Sequence, residues 1–230
     1  MTTKLIAVTQ SVDDITPEQL IVYCARVSNP NNQDNHDTGH KLLRYCIRNG
    51  HWSVFEQASM TVEVETSRAI AAQILRHRSF TFQEFSQRYS NVSKLGDDLI
   101  VLPEMRAKHV EGNRQGSGIN IGSNMAEDCA FEIDDMAYNS LLVAMKTYKL
   151  LVDNGVAPEC ARMVLPLCTR TRLYMNGTVR SWIHYFNQRC SEHTQKEHRL
   201  IALEIRDTHF KKTFPMIHEL ITTEQGQHIV

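Results

Sequence analysis

Residues 76–89, RHRSFTFQEFSQRY, constrain this chain more than any other stretch. They combine three arginines, one histidine and one glutamate with four aromatic rings. A buried structural element rarely carries so many charges, and a solvated face rarely carries so many rings. The mixture is therefore typical of a ligand site.

If this stretch is extended, alternate side chains lie on opposite faces. One face then carries Arg76, Arg78 and Arg88 together with Glu84 and Ser86. Guanidinium forks suit phosphate or carboxylate groups, and an ionised glutamate accepts hydrogen bonds from a ligand. Such a face fits an anionic ligand with donors of its own, for example a nucleotide. It fits equally a ladder of arginine–glutamate ion pairs on an exposed strand.

The whole chain has 230 residues, enough for one sizeable core. We expect a single domain over residues 1–230, with a flexible tail after about residue 221. A formal net charge of −1 gives no reason to expect binding to a nucleic-acid polymer or to a membrane. Phosphate recognition must therefore come from local arginines, and a second group of these is Arg162, Arg170, Arg172, Arg180 and Arg189.

The spacing of the cysteines and the composition of the N-terminal residues indicate the cellular compartment of the protein. Six cysteines are scattered without CxxC spacing, and the first ten residues lack the long apolar core of a signal peptide. No stretch approaches the roughly 18 consecutive apolar residues of a membrane span. We expect a soluble, intracellular protein of the cytoplasm with reduced thiols.

Periodicity and capping residues predict the secondary structure. The predicted strands are residues 4–9, 60–65 and 97–102, and the glycine- and asparagine-rich residues 111–124 predict a surface loop. The predicted helices are one capped by Thr16, one over 41–49 ended by Gly50, one capped by Ser67, one over 125–152, a short one from Pro158, one from Val179 to Arg189, and a last one opened by a capping box over 194–197.

Arg189 occupies an unusual position in the helix that begins at Val179. It lies seven residues after Trp182 and three after Phe186, so it falls on the apolar stripe. An arginine there must either extend its guanidinium to solvent or meet a buried anion. The spacing alone favours the first.

The stretch 76–89 closely resembles the signature RHRxxSxNExSxRY of the flavin-dependent thymidylate synthases. The residues in register are Arg76, His77, Arg78, Glu84, Ser86, Arg88 and Tyr89, while Thr81 and Gln83 stand where the family has serine and asparagine. The segments RMVLPL and FNQRC, which contain Arg162 and Arg189, resemble the family's second conserved region.

The resemblance implies two sets of site residues. For deoxyuridine 5'-monophosphate (dUMP) they are Gln73, Arg76, Glu84, Ser86, Gln87, Arg88, Arg162 and Arg189. For FAD they are Ser53, Arg76, His77, Arg78, Glu84, Thr178, Arg180 and His184. Arg189 is the implied catalytic residue, because a guanidinium against the uracil ring favours its N3-deprotonated form.

The resemblance also implies the fold and the reaction. The fold is α/β, with an antiparallel-rich central sheet packed with helices, assembled as a homotetramer with active sites shared between subunits. The reaction is reductive methylation of dUMP to dTMP, in which methylenetetrahydrofolate supplies the carbon, NADPH supplies the electrons through FAD, and no enzyme nucleophile is needed.

Other kinds of chemistry and function have less support in the sequence than this resemblance. His36 and His40 have the i, i+4 spacing of metal ligands but lack an obvious third ligand, so we expect no metal. Cys168 and Cys190 lie in the second arginine group without a visible base, and Ser86 fits hydrogen bonding better than nucleophilic attack. The rival functions are another FAD-dependent NAD(P)H oxidoreductase and a non-catalytic nucleotide- or RNA-binding module.

Overall fold

A four-stranded antiparallel sheet forms the centre of the protein, as a computed structural model describes it for residues 1–96, 98–108, 117–120 and 127–223. The strand order is β1–β2–β6–β3, with β1 at Thr2–Val8, β2 at Ser59–Ser67, β6 at Arg170–Thr178 and β3 at Thr81–Glu84. The strands are paired antiparallel throughout. The expectation of an antiparallel-rich sheet packed with helices is confirmed.

One face of this sheet is apolar and the other is polar. In β2, Met60, Val62 and Val64 are buried, and Val62 and Val64 pair with Met175 and Leu173 of β6. Alternation places the intervening residues on the opposite face. There Arg172 Nε donates to Glu65 Oε1 at 2.8 Å, so an ion-pair ladder does exist, although it lies on β2 and β6 rather than in residues 76–89.

The strand β6 was not predicted, although it lies between β2 and β3. Its core-facing residues Thr171, Leu173 and Met175 are all fully buried. They alternate with Arg170 and Arg172, so the segment has the period of a half-buried strand. The sequence interpretation treated these arginines only as a cationic group and missed the alternation.

The helices largely follow the predicted order. They are α1 Pro17–Ala25, α2 Gly39–Arg48, α3 Arg68–Ile74, α4 Glu127–Asp153, α5 Pro158–Ala161, α6 Val179–Arg189, α7 Lys196–Glu204, α8 Lys211–Thr213 and α9 Pro215–Thr223. A π-helical segment, Ile205–Phe210, connects α7 to α8. Thr16 forms a capping box with Gln19, Ser67 accepts from the Ile70 amide, and Gly50 has a φ of 68° just after α2.

Two of the predictions around strands and loops need correction. Asp97 lies outside the described residues, and Ile100 forms only an isolated bridge with Thr169 instead of a strand. Within 111–124, residues Ser117–Asn120 form strand β5, paired with β4 at Arg106–Lys108, and the rest lies outside the described residues. The flexible tail was predicted after about residue 221. Helix α9 continues to Thr223, and residues 224–230 lie outside the described residues.

The capping box predicted over residues 194–197 is wrong. Gln195 is the residue before α7 and makes no side-chain cap, while Thr194 Oγ1 donates to the Gln188 carbonyl at 3.1 Å. The carboxylate of Glu197 binds Arg106 instead of the helix end. A distant arginine forms a stronger, charge-assisted contact than the helix terminus offers.

Aromatic side chains of α6 join the helices to the sheet. Trp182, Tyr185 and Phe186 are fully buried, and Trp182 Nε1 donates to the Met60 carbonyl of β2 at 3.1 Å. Each such side chain contributes roughly 2–3 kcal/mol of burial free energy. A smaller apolar cluster, centred on Val92, Tyr148 and Ala161, lies beside α4 and α5. In the part of the chain that the structure describes, no helix has the length and apolarity needed to cross a membrane.

Candidate active site

The signature stretch is not one extended strand. Only Thr81–Glu84 is extended, and turns precede and follow it. Arg76 and Arg78 lie exposed in the first turn, with the buried His77 between them, whereas Arg88 lies in the second turn. The prediction that the three arginines line one face is therefore wrong, because turns do not preserve the alternation of a strand.

Aromatic packing fixes the first turn against α6. The Phe80 ring contacts the Trp182 ring edge-on, with centroids 4.8 Å apart. A Cβ at Gly177 would lie 2.5 Å from the Phe80 ring, so only glycine permits this approach. Ser181 Oγ donates to the Ser79 carbonyl at 3.0 Å. The backbone of residues 77–80 therefore runs alongside α6.

A cleft of about 650 Å³ opens between this turn and α6. Its lining includes Trp52, Ser79, Arg180, His184, Asn187 and Gln188. Arg180 Nη1 bonds to Glu56 Oε1 at 2.5 Å, and Gln188 Nε2 lies 2.9 Å from His184 Nε2. A ring, a cation and two amides can receive a planar, acceptor-bearing group.

Four residues predicted for FAD lie at or near this cleft. Arg180 and His184 line it, and Ser53 is exposed beside Trp52 in a short 3₁₀ helix, Trp52–Glu56. Thr178 has a structural role as well, because its Oγ1 accepts from the Ser181 amide and caps α6. The predicted flavin contacts themselves stay predictions.

Arg189 lies at the end of α6 beside His77. Its Nε donates to His77 Nε2 at 2.8 Å, the one side-chain hydrogen bond of Arg189 within the described residues. Burial, then the charges of Arg189 and His184, lower the pKa of His77 to about 4. His77 is therefore a neutral acceptor at physiological pH, and Arg189 meets an imidazole rather than a protein anion.

Glu84 and Gln73 are already bonded to other protein groups. Glu84 Oε1 accepts from Arg68 Nη1 at 2.5 Å and from Thr171 Oγ1 at 2.9 Å. Gln73 Nε2 donates to the Gln195 side chain at 2.7 Å. Both residues belong to the predicted nucleotide site, and in this structure they also brace the elements around it.

The turn after β3 forms a second group of predicted substrate residues. Ser86 is exposed, and Arg88 lies 3.5 Å from Glu159 at α5. The Nε2 of Gln87 and the Nε of Arg162 are buried without a hydrogen-bond partner among the described residues. Each unsatisfied buried donor costs about 1–3 kcal/mol, so this group fits a ligand rich in acceptors.

The Arg189 group, which is Arg189 with His77 and Tyr185, and the Arg162 group, which is Arg162 with Ser86, Gln87 and Arg88, lie in different parts of the protein. Arg189 and His77 pack with Tyr185 in the main core, whereas Arg162 follows Ala161 in the smaller apolar cluster. The four residues of β3 alone advance the chain by about 13 Å between the two turns. Among the described residues, no hydrogen bond or ion pair joins one group to the other.

Cysteine and metal chemistry have little structural support. The cysteines with described side chains are free thiols, and burial raises the pKa of Cys168 and raises that of Cys190 to about 11. Both thiols therefore stay protonated at neutral pH. Among residues 1–96, 98–108, 117–120 and 127–223, no three His, Cys, Asp or Glu side chains are grouped to hold a metal ion.

Several site residues were missed at the sequence level. Trp52, Ser79, Asn187 and Gln188 line the cleft, and His198 lies near Arg189. The i, i+4 and i+8 spacing of Arg180, His184 and Gln188 marks the polar stripe of α6 and was the available signal. No sequence pattern places His198, which comes from another helix.

Fold and site together define an α/β protein with a donor-rich cleft and buried donors beside it. The chain belongs to the family described as thymidylate synthase complementing protein, which matches residues 8–216.

Two sequence relatives and one solved structure support this family assignment. A flavin-dependent thymidylate synthase of Synechocystis is 48% identical over 211 residues, covering 89% of each chain. A probable flavin-dependent thymidylate synthase of Paramecium bursaria Chlorella virus 1 is 46% identical, covering 94% of this chain and 97% of the viral one. A crystal structure of a UMP/dUMP methylase from Streptomyces cacaoi, bound with 5-Br dUMP, superimposes with a TM-score of 0.80 at 28% identity, covering 96% of this chain and 94% of the other.

Proposed function

We propose that this protein is a flavin-dependent thymidylate synthase, which converts dUMP to dTMP with methylenetetrahydrofolate as the carbon donor and NADPH as the reductant. The family and the two relatives named above support the reaction, and the dUMP analogue in the related methylase supports the substrate. FAD, when bound, would supply the redox chemistry between NADPH and the pyrimidine. The protein supplies binding, orientation and electrostatics.

The contact between Arg189 and His77 is the observation that carries this proposal. A carboxylate partner would neutralise the guanidinium, whereas a neutral imidazole orients it and leaves its charge available. A uracil ring that loses its N3 proton carries negative charge. Arg189 directed at that ring would lower the cost of this charge and so activate the pyrimidine.

The unpartnered donors support the proposal that Gln87 and Arg162 bind the nucleotide. Gln87 Nε2 and Arg162 Nε would gain acceptors from phosphate or from the pyrimidine carbonyls. The exposed Arg76 and Arg88 add positive charge near the two turns for the phosphate. Around the cleft, Trp52 and His184 offer rings for the planar parts of FAD. Arg180 is paired with Glu56 in the protein alone, so it would have to exchange this partner to bind the pyrophosphate of FAD.

We further propose a homotetramer whose active sites are shared between subunits. The separation of the Arg162 group from the Arg189 group supports this, since one nucleotide must contact both. An exposed apolar stripe on α4 supports association as well: Met136, Val143 and Leu150, spaced by seven residues, are 73%, 64% and 63% exposed. Such a seam is typical of a helix that packs against another chain.

Mixed subunits test the shared site and the reaction together. Arg162→Ala and Arg189→Ala proteins, each inactive alone, should regain thymidylate formation when they are dissociated together and reassembled. Reassembly of either variant with itself is the matched control. Confirmed hybrid tetramers without activity would contradict the sharing. A wild-type protein that oxidises NADPH but forms no dTMP from dUMP would contradict the function.

A further inference from the structure

A chain of hydrogen bonds begins at Glu197, in the first turn of α7. Arg106 Nη1 and Nη2 donate to its two carboxylate oxygens at 2.6 and 3.0 Å, and Arg106 Nε donates to Ser117 Oγ at 2.8 Å. Burial opposes ionisation of Glu197, but hydrogen bonds, chiefly from Arg106, hold its pKa below the ordinary value. Glu197 is therefore ionised and can only accept hydrogen bonds.

The Glu197 carboxylate determines which amide atom donates and which accepts in the next two hydrogen bonds. Glu197 Oε2 accepts from Gln195 Nε2 at 2.9 Å, so Gln195 Oε1 must face Gln73. Gln195 Oε1 accepts from Gln73 Nε2 at 2.7 Å, so Gln73 Oε1 must face His198. Amide orientations are often ambiguous, but a partner without protons at one end removes the ambiguity along the whole chain.

The direction continues through His198 to Tyr185. His198 Nδ1 lies 3.3 Å from Gln73 Oε1, which has no proton, so Nδ1 must carry the hydrogen. His198 Nε2 is then the acceptor for the Tyr185 hydroxyl at 3.1 Å. Burial, then the charges of Arg189 and His77, lower the pKa of His198 to about 3, and burial raises the pKa of Tyr185 above its ordinary value. Both groups therefore keep these roles at neutral pH.

The end of the chain packs against the group that orients Arg189. The rings of Tyr185 and His77 meet edge-on with centroids 4.9 Å apart, and the rings of His77 and His198 lie 6.3 Å apart. His77 Nε2 accepts from Arg189. A proton on His198 would therefore place a second cation within the cluster that surrounds the Arg189 guanidinium.

We propose that the hydrogen-bonded chain from Glu197 to Tyr185 is a positioning network, which holds His198 as the neutral Nδ1–H tautomer and thereby keeps Arg189 oriented towards the pyrimidine. The inference rests on the proposed role of Arg189. Tyr185 and His198 are positioning residues, because they act through Arg189 rather than on the substrate.

The network predicts a pH effect with a definite sign. The groups that bear on the charge of His198 are Arg189 and Tyr185 on α6, and His77 from the turn after α3. A hydroxyl that donates to Nε2 favours the neutral ring, so its removal frees Nε2 to take a proton. Without that hydroxyl, falling pH should charge His198 and weaken the binding of dUMP.

The test is a titration of dUMP into Tyr185→Phe holoenzyme, with the dissociation constant measured between about pH 4 and pH 8.5, so that the range approaches the lowered pKa of His198. We expect about tenfold weaker binding than in wild type at neutral pH, and a loss that grows as the pH falls. Tyr23→Phe, which removes a partly exposed hydroxyl on α1, is the matched control and should bind as wild type does. Equal binding by wild type and Tyr185→Phe at all pH values would overturn the proposal.

A double-mutant cycle with Arg189→Ala separates positioning from general support of the fold. In the Arg189→Ala background the Tyr185→Phe change should have no further effect on the binding of dUMP. An equal loss of dUMP affinity on Tyr185→Phe in the wild-type and Arg189→Ala proteins would overturn the network. The proposed role of Arg189 would remain intact. If Arg189→Ala alone binds dUMP as wild type does, the proposed role of Arg189 fails and the network fails with it.

Substitutions of His198 can separate its donor role at Nδ1 from its acceptor role at Nε2. Asn can reproduce the donor at Nδ1 but not the acceptor at Nε2, whereas Gln can reproduce the acceptor. His198→Asn should therefore show the acid-dependent loss less than Tyr185→Phe does, because it has no imidazole to protonate. An identical acid dependence in both variants would contradict the assignment of that dependence to His198.

Discussion

The Arg189 group and the Arg162 group differ in how their donors are satisfied. Arg189 donates to a neutral imidazole whose position is fixed by packed rings, whereas Gln87 and Arg162 have buried nitrogens that find no partner in the described part of the chain. The first group is organised in the protein alone, and under the proposed function the second gains its partners from the ligand. Electrostatic catalysis needs fixed charges, while affinity can come from donors that binding satisfies. The difference therefore suggests that activation lies in the first group and capture of the nucleotide in the second.

Arg189→Ala should cause the largest effect. We expect turnover to fall by about 10³ and dUMP binding to weaken, because the charge facing the pyrimidine is lost. Flavin content, measured by absorbance, should remain at the wild-type level. Arg189→Lys keeps the charge but not the fork, and should recover only part of the activity. A variant that loses flavin but still binds dUMP would reverse the roles of the two groups.

Lowering the pH should reduce the folding stability that the buried imidazoles of the Arg189 group contribute. His77 and His198 have folded-state pKa values of about 4 and about 3, below the ordinary value of 6.5. Above pH 6.5 their neutral forms contribute full stability. As the pH falls below 6.5, only the unfolded chain takes up these protons, so stability is lost towards the folded-state pKa values.

Each of the two imidazoles should lower the free energy of unfolding by an amount on the order of 3 kcal/mol between pH 6.5 and pH 4. Urea titrations across this range would measure it. His198→Asn should lose less stability with acid than wild type does, since one depressed group has been removed. The same acid slope in both proteins would contradict the view that buried neutral imidazoles support this group.

His77→Leu and His77→Gln test whether His77 serves Arg189 or the flavin. Leucine removes the acceptor for Arg189 Nε, whereas glutamine can place an oxygen near the position of Nε2. We expect a ten- to hundredfold loss of kcat/KM in the leucine variant and a smaller loss in the glutamine variant. Comparable flavin occupancy in both would support the role with Arg189. Loss of flavin in both would favour the flavin contact that the signature implies.

The sequence supplied the residue types of the proposed site but not the contacts between them. The signature and the two arginine groups are local patterns, and so are the caps at Thr16 and Ser67. The contact of Arg189 with His77 joins residues 112 positions apart, and the Gln73–Gln195 contact joins residues 122 apart. No local pattern carries such contacts. The same reason explains the wrong capping box, since Glu197 binds Arg106 from 91 residues away.

Gln87→Leu should cause the smallest effect on the protein alone and still separate the two groups. Leucine has a similar volume and removes the unpartnered Nε2, so the free energy of unfolding without ligand should stay equal or rise by about 1 kcal/mol. Binding of dUMP should weaken about tenfold, because the ligand loses a donor. In contrast, His77→Leu removes a partner that the folded protein already uses and should lower stability without ligand. Thermal unfolding with and without dUMP measures both effects. If Gln87→Leu destabilises the ligand-free protein as much as His77→Leu does, Gln87 is bonded within the fold in solution, and the distinction between a preorganised group and a ligand-dependent group does not hold.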